Sequence, residues 1–307
     1  MSLLIGHPLV ALLALIADWL LPEPRHHPLA LFGRFASWLD HRFNRPDLAS
    51  NRDRGIWAVM AAVVPLTLIA LGLQHLPFYA GELAGLILLT LALGGGSLAA
   101  HGRSVARALA ADNLVGAREA AGRLVSRDNQ AMDETACATA TTESMLENGN
   151  DAVIGTLFWF LVAGAGGVIA YRLINTLDAM WGYWTEDYRL FGWAAARTDD
   201  LMNYVPARLT AAGYALLGSR RQEAWRAWQE DSLEWVSPNA GVVMAAGAGA
   251  LGLKLGGPAT YHGGRRERPW LGNGRRAQGS DINRAIALIY RVAVAVVAIS
   301  LGVWFLA

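Results

Sequence analysis

The sequence predicts an all-α, polytopic integral membrane protein. It should have about five membrane-spanning helices, two re-entrant or short segments, and polar helical loops on one face. Three observations predict this. Apolar residues make up 54% of the 307-residue chain and fall in long unbroken runs. Five of these runs are each about the 20 residues that cross the hydrocarbon of a bilayer. Strand signals are weak everywhere, so the chain reads as one membrane-embedded domain over residues 1–307.

The first run, LLIGHPLVALLALIADWLL, is interrupted only by His7 and Asp18. It lacks a basic start, and DWLLPEPRHHP offers no small-residue cleavage site, so it is expected to stay rather than be removed as a signal peptide. The second is GIWAVMAAVVPLTLIALGL, over 55–73, and the third covers 80–100 with Glu82 near its start. The fourth, AVIGTLFWFLVAGAGGVIAY over 152–171, carries a glycine cluster at 164–167 that should let it bend. The last run, 286–307, holds Arg291 as its only charge. Segments 201–217 and 240–255 are shorter or interrupted and read as re-entrant or buried against other helices.

Polar blocks lie between: 22–54, 101–151, 172–200, 218–239 and 256–285. Block 101–125 has helical periodicity with arginines on one side, which predicts a soluble or interfacial helix pair. Blocks 22–54, 101–151 and 256–285 carry six, five and six arginines, and the link 74–79 carries none. That asymmetry puts the first two basic blocks on the cytoplasmic side of a multi-pass inner-membrane protein. A full crossing by the fourth run would send block 172–200 to the opposite face, whereas a bend would keep the polar blocks together.

Composition excludes several classes. Cys137 is the lone cysteine, which leaves no internal disulfide and no thiolate zinc cage. A net charge of +1 argues against a nucleic-acid partner. Of 26 basic residues only Lys254 is lysine, so there is no Walker-type G-K-[ST]. The arginine bias suits a bidentate grip on carboxylates and phosphates, although a GC-rich genome produces the same bias. G-x-S-x-G and H-E-x-x-H are absent.

The densest polar stretch is SRDNQAMDETACATATTESMLENGND, over 126–151. Arg127 and Asp128 head it, and Glu143, Glu147 and Asp151 follow at i, i+4 and i+8, one face of a persistent helix. Such acids repel one another unless something positive sits among them. Magnesium with a substrate phosphate is one answer, needing one or two carboxylates. A solvated acidic helix end is the other. Asn148, Gly149 and Asn150 are expected to break the helix before the fourth run, either as a turn or to let backbone approach a ligand.

In block 172–200 and just beyond it, Arg172, Asp178, Arg197, Asp199, Asp200 and Arg208 lie close to membrane runs, where ionisable groups are paired or functional. Arg197 with Asp199 or Asp200 reads as an ion pair. Asp178, Asp199 and Asp200, followed by Asn203, also form a second candidate metal set. Trp181, Tyr183, Trp184, Tyr188 and Trp193 read as an interfacial belt rather than a stacking box. Near the start, Glu23, Arg25, His26, His27 and Gly33 gather. Adjacent histidines do not share a helix face, which leaves His27 as a lone acid/base candidate. Ser237, Pro238, Asn239 and Gly241 form a turn into a short apolar segment.

In this order the blocks resemble the adenosylcobinamide-phosphate synthase family, the CobD/CbiB proteins of cobalamin biosynthesis. The resemblance covers essentially the whole chain. It is carried by D-x-L-L-x-E-P…H-P…G from Asp18 to Gly33, by Ser126-Arg127-Asp128, and by E-S-x-x-E-N-x-x-D from Glu143 to Asp151. It continues with NTLDAMWGY, YRLFGWAAARTDDLMNYVPARLTA, SPNAG and LGGPATYHG. The chain departs from the family's G-R-D-T at Ser126–Asn129 and from its Trp-Pro pair at Val242 and Val243.

The resemblance implies an ATP-dependent amide ligase. It would join adenosylcobyric acid, through its propionate carboxyl, to aminopropanol or its O-phosphate, with Mg²⁺ as cofactor and ATP as substrate. A carboxylate does not react with an amine at neutral pH, so ATP must first activate it. On this reading the catalytic candidates are Glu143, Glu147, His27 and Asp178. The metal candidates are Asp128, Glu147, Asp151, Asp199 and Asp200. Phosphate and substrate contacts fall to Arg127, Asn148, Asn175, Arg197, Asn203, Arg208, Ser237 and Asn239. Lipids and other membrane enzymes of late corrinoid assembly are the expected partners.

Two other classes compete. A noncatalytic sensor of the AmpE type is distantly related, but it is poorer in the NTLDAM and SPNAG blocks that this chain keeps. A transporter would require a paired repeat of broken helices, and the sequence has no internal repeat.

Overall fold

The computed structural model describes residues 6–306 apart from Glu23, Arg25, Phe78, Ser126, His262 and Gly263. The residues 3–5 that begin the first apolar run, and the sequence-stretch members Glu23, Arg25, Ser126, His262 and Gly263, therefore lie outside the described residues. Helices follow in the order α1 (Pro8–Leu20), α2 (Pro28–Phe43), α3 (Asn51–Gln74), α4 (Ala80–Ala92), α5 (Gly95–Ala110) and α6 (Leu114–Ala121). Then come α7 (Glu134–Gly149), a π-helical turn (Asn150–Ile154), α8 (Gly155–Trp181), α9 (Trp193–Leu217), α10 (Arg221–Glu230) and α11 (Ala240–Leu251). Five short strands precede α12 (Gly279–Leu306).

Among the described residues, four helical stretches are long and apolar enough to cross a membrane: Asn51–Gln74, Ala80–Ala110, Glu134–Trp181 and Gly279–Leu306. The protein is thus a helical, polytopic membrane protein. The first apolar run differs from expectation, since its helix α1 has 13 residues. At 1.5 Å per residue that is about 20 Å, short of a 30 Å hydrocarbon core. Segment 240–255 divides into α11, buried from Gly241 to Leu251, and a strand.

The chain forms two compact units. The first comprises 1–94, 155–203 and 297–307. Here α8 packs on α2, α3 and α4, and its Leu173, Ile174, Leu177 and Trp181 join Ala58, Ala62, Phe32 and Phe191 in one core. The opposite face of α3, with Trp57, Met60, Leu68 and Ile69, points outward. That apolar outer face is what lipid contact requires. α1 and α2 start alike: in His7-Pro8 and His27-Pro28 the imidazole Nδ1 accepts from the backbone N–H of Leu9 and of Leu29, each at 3.2 Å. Proline at the first helical position needs no hydrogen bond, and the histidine supplies one for the next donor.

α8 bends at Gly164, whose φ of 64° and ψ of −153° are accessible only to glycine. The freed N–H of Ala165 donates to Gln74 Oε1 at 2.7 Å. The glycine cluster thus bends the fourth run as its composition predicted, and a side chain from the end of α3 satisfies the broken ladder.

The second unit comprises 95–154 and 204–296. α5 and α6, the expected arginine-flanked pair, pack on each other and on α7. The described residues of block 256–285 are not a plain loop. Strands β1 (Leu253–Gly256), β4 (Trp270–Leu271) and β5 (Arg275–Arg276) form one small sheet, and β2 (Ala259–Tyr261) pairs with β3 (Gly264–Arg266). Strands of two to four residues are too short to show a period, so the sequence gives no strand signal there.

Candidate functional site

The acidic stretch of the second unit is exposed at Asp133 and Glu134 and largely buried from Cys137 to Leu146. Glu143, in the middle of α7, is 3% exposed. Its carboxylate accepts from Arg127 Nη2, and from Arg268 Nη2 at 3.0 Å to Oε1 and 2.8 Å to Oε2. The backbone N–H of Gly256 adds a donor at 2.8 Å. Two guanidiniums are therefore the positive charge that this face of acids required. Burial works to lower the Arg268 pKa, but the Glu143 carboxylate outweighs it and holds the guanidinium above its ordinary range. Arg268 also lies 4.9 Å over the Trp235 ring. Sequence reasoning missed Arg268, since nothing local links it to a residue 125 positions away.

Beyond Glu143 the helix does not break as expected. It widens into the π turn Asn150–Ile154, so Glu143 and Glu147 share an α-helical spacing while Asp151 is displaced from it by the wider turn. Asn150 donates to Asp151 Oδ1 at 2.9 Å and accepts from Thr210 Oγ1 at 2.8 Å. Asn148 donates to the Ser144 carbonyl at 2.9 Å and to its hydroxyl at 3.1 Å. Such turns recur at functional sites because they re-aim side chains within a helix.

Arg127 and Gly256 also line a cleft of about 400 Å³. Its walls include Asp128, Asp133, Lys254, Arg265, Trp270 and Arg276. Asp128 Oδ1 accepts from the N–H of Gln130 at 3.0 Å, and Asp133 caps α7 through Ala136 N at 2.7 Å. In the same unit Arg208 donates to Asn239 Oδ1 at 2.6 Å and to the Pro238 carbonyl at 3.3 Å. Ser237 Oγ accepts from Ala240 N at 3.2 Å. The predicted residues Arg208, Ser237 and Asn239 are thus brought together at the entry to α11.

The first unit holds its own polar group. Asp199 accepts from Asn175 Nδ2 at 3.2 Å and from Asn203 Nδ2 at 3.0 Å. Asn175 in turn accepts from Arg172 at 3.0 Å, and Asn203 accepts from Tyr171 Oη at 2.8 Å. Asp199 and Asp200 are the charges that act on the Asp178 carboxyl. Arg197 is largely exposed and lies 3.5 Å from Asp200, the ion pair that the spacing suggested. His27 sits at the start of α2. Because Nδ1 accepts from Leu29, the neutral ring carries its proton on Nε2 and acts there as a donor.

Among the described residues no group of three or more His, Cys, Asp or Glu side chains forms a metal cage. The donors still suit magnesium, which takes one or two carboxylates and fills the remaining positions with water and substrate oxygens. Asp199 is a carboxylate whose two oxygens accept from the Asn175 and Asn203 amides, and carboxylate oxygens are the donor type that magnesium takes.

The family model described as CobD/Cbib protein matches residues 11–289. The chain is 52% identical over 294 residues to the cobalamin biosynthesis protein CobD of Stutzerimonas stutzeri, covering 95% of this chain and 94% of that one. It is 50% identical over 285 residues to the protein of that name from Chromobacterium violaceum, with 91% of each chain covered. The Mycobacterium tuberculosis protein of that name is 40% identical over 298 residues, with 94% of each covered. No solved structure matches the chain.

Proposed function

The chain belongs to the CobD/Cbib family, and on that premise we propose that it is an ATP-dependent amide ligase of cobalamin biosynthesis. It joins the propionate carboxyl of adenosylcobyric acid to the amine of aminopropanol or its O-phosphate. The observation that carries this reading is the Glu143 network: a buried carboxylate held by two guanidiniums whose member Arg127 opens onto a cation-rich cleft. That is the electrostatic setting which developing phosphoryl charge needs.

The substrate carboxylate attacks ATP, breaking a phosphorus–oxygen bond to give an acyl phosphate and ADP, or an acyl adenylate and pyrophosphate. The amine nitrogen then forms the amide bond, phosphate or AMP leaves, and the amine proton passes to a base. Glu143, its acceptor sites taken by Arg127, Arg268 and Gly256, is a positioning residue that fixes those two guanidiniums. On this reading the base is a carboxylate, Glu147 or Asp178, and the Nδ1 cap of His27 supports a donor role for that ring. Asn175 and Asn203 hold Asp199 for the metal or the amine, and Arg197 meets phosphate. Asp199 and Asp200, or Glu147 and Asp151, would hold magnesium, which would supply charge neutralisation for phosphoryl transfer. The arginine-rich blocks support a site facing the cytoplasm from the inner membrane.

Glu147→Gln tests the reading. It should reduce amide formation at least about a hundredfold, the lower end of what general acid–base catalysis contributes, while the protein still inserts and melts as before. Retained turnover would remove Glu147 from the chemistry.

A further inference from the structure

Lys254 is the only lysine of the chain, and the fold sets it beside a like charge. β1 runs parallel to β5, with Lys254 directly opposite Arg276. Leu253 and Leu255 on either side are fully buried, so strand alternation turns Lys254 to the other face. Lys254 and Arg276 both line the 400 Å³ cleft, along with Arg127 and Arg265. Among the described residues no ion pair joins Lys254 or Arg276 to a carboxylate. The acids in the wall are turned to local backbone: Asp128 bonds Gln130 N, and Asp133 caps α7. Trp270 lies 4.5 Å from Lys254 Nζ and holds the ammonium in place.

Like charges facing each other across neighbouring strands are destabilising. A wall that keeps two of them together, inside a cleft of ligand size, is built for an anion. We propose that Lys254 and Arg276 are the gripping pair of a binding site for a phosphate-bearing small molecule. Arg276 offers a planar fork of donors and Lys254 a compact charge, the two modes by which proteins hold phosphate. The proposal rests on the ligase reading for the identity of the ligand, where the phosphate belongs to the nucleotide or to the phosphorylated amino alcohol.

The test uses the full-length protein in detergent, with Lys254→Met and Arg276→Gln and, as a control outside the cleft wall, Arg221→Gln. Equilibrium binding and thermal shift are read with ATP, inorganic pyrophosphate and aminopropanol O-phosphate. The wild type should be protected by at least one of them. Lys254→Met and Arg276→Gln should each weaken that binding about tenfold or more, the loss of one charge-assisted contact. Both should melt, without ligand, at or above the wild-type temperature because repulsion is relieved. Arg221→Gln should bind as the wild type does. Protection by ATP and pyrophosphate alone assigns the phosphate to the nucleotide, and protection by the amino-alcohol phosphate alone assigns it to that substrate. No protection by any of the three, or unchanged affinity in both variants, overturns the proposal. If the wild type makes no amide but loses ligand protection in both variants, the cleft stands and the ligase reading falls. If amide forms with unchanged KM for both phosphate substrates in both variants, the ligase reading stands and the cleft falls.

Discussion

Glu143→Gln is the perturbation that the second unit should feel most. The substitution keeps an oxygen for the Gly256 N–H but strands two guanidiniums, Arg127 and Arg268, whose side chains are 12% and 13% exposed. Removing one partner of a buried ion pair costs about 3–5 kcal/mol, because the remaining charge is left without compensation. At roughly 2–4 °C per kcal/mol for a domain of this size, the melting temperature should fall by about 6–20 °C. Thermal unfolding in detergent, followed by tryptophan fluorescence, measures it. Adding Arg268→Met to Glu143→Gln removes one stranded charge. The double variant should therefore be more stable than Glu143→Gln alone, with a coupling above about 1 kcal/mol. A Glu143→Gln protein within about 1 kcal/mol of wild type, or strictly additive effects, would refute a charge-locked network.

Three further outcomes follow from local geometry. Gly164→Ala forces a Cβ against Gln74 Oε1 at a backbone conformation reserved for glycine, which should cost about 1–3 kcal/mol in a melting experiment. Asp281 is fully buried and accepts from Arg275 and Arg284 at 2.6–2.8 Å, but those arginines are 48% and 40% exposed. Solvent screening should therefore hold the loss in Asp281→Asn to about 1–3 kcal/mol, below that of a fully buried pair. The Tyr188 hydroxyl donates to Asp40 at 2.7 Å, and burial with that carboxylate pushes its pKa up to about 12. A raised pKa means that the bond stabilises the fold fully below about pH 10 and that the gain is lost as pH rises through the folded value. The near-ultraviolet titration of wild type minus Tyr188→Phe should thus have its midpoint near 12, and a midpoint at an ordinary phenol value would contradict it.

The membrane class was legible because apolar runs are local and long; α3 and α12 fall almost where their runs do. The bend in α8 was legible as a glycine cluster, but not the fact that Gln74, from a distant helix, would complete it. Glu143 stood out by spacing and by the charge it lacked, whereas its partner Arg268 lies in an irregular segment with no period. The π turn was hidden because ENGND reads equally as a helix end. Lys254 could have been noticed as a lone charge in the alternation Leu253-Lys254-Leu255, but Arg276 becomes its neighbour only through strand pairing. In general, what depends on period or composition was readable, and what depends on long-range pairing was not.

Ligation itself is the most direct test. Purified protein in detergent is supplied with adenosylcobyric acid, ATP, magnesium and either aminopropanol or its O-phosphate, and the product mass is read together with ADP and AMP. The ligase account predicts one new amide per ATP consumed, with nothing formed when ATP or the amine is omitted. A folded protein that consumes no ATP and yields no amide with either amine, or amide formed equally well without ATP, would contradict it.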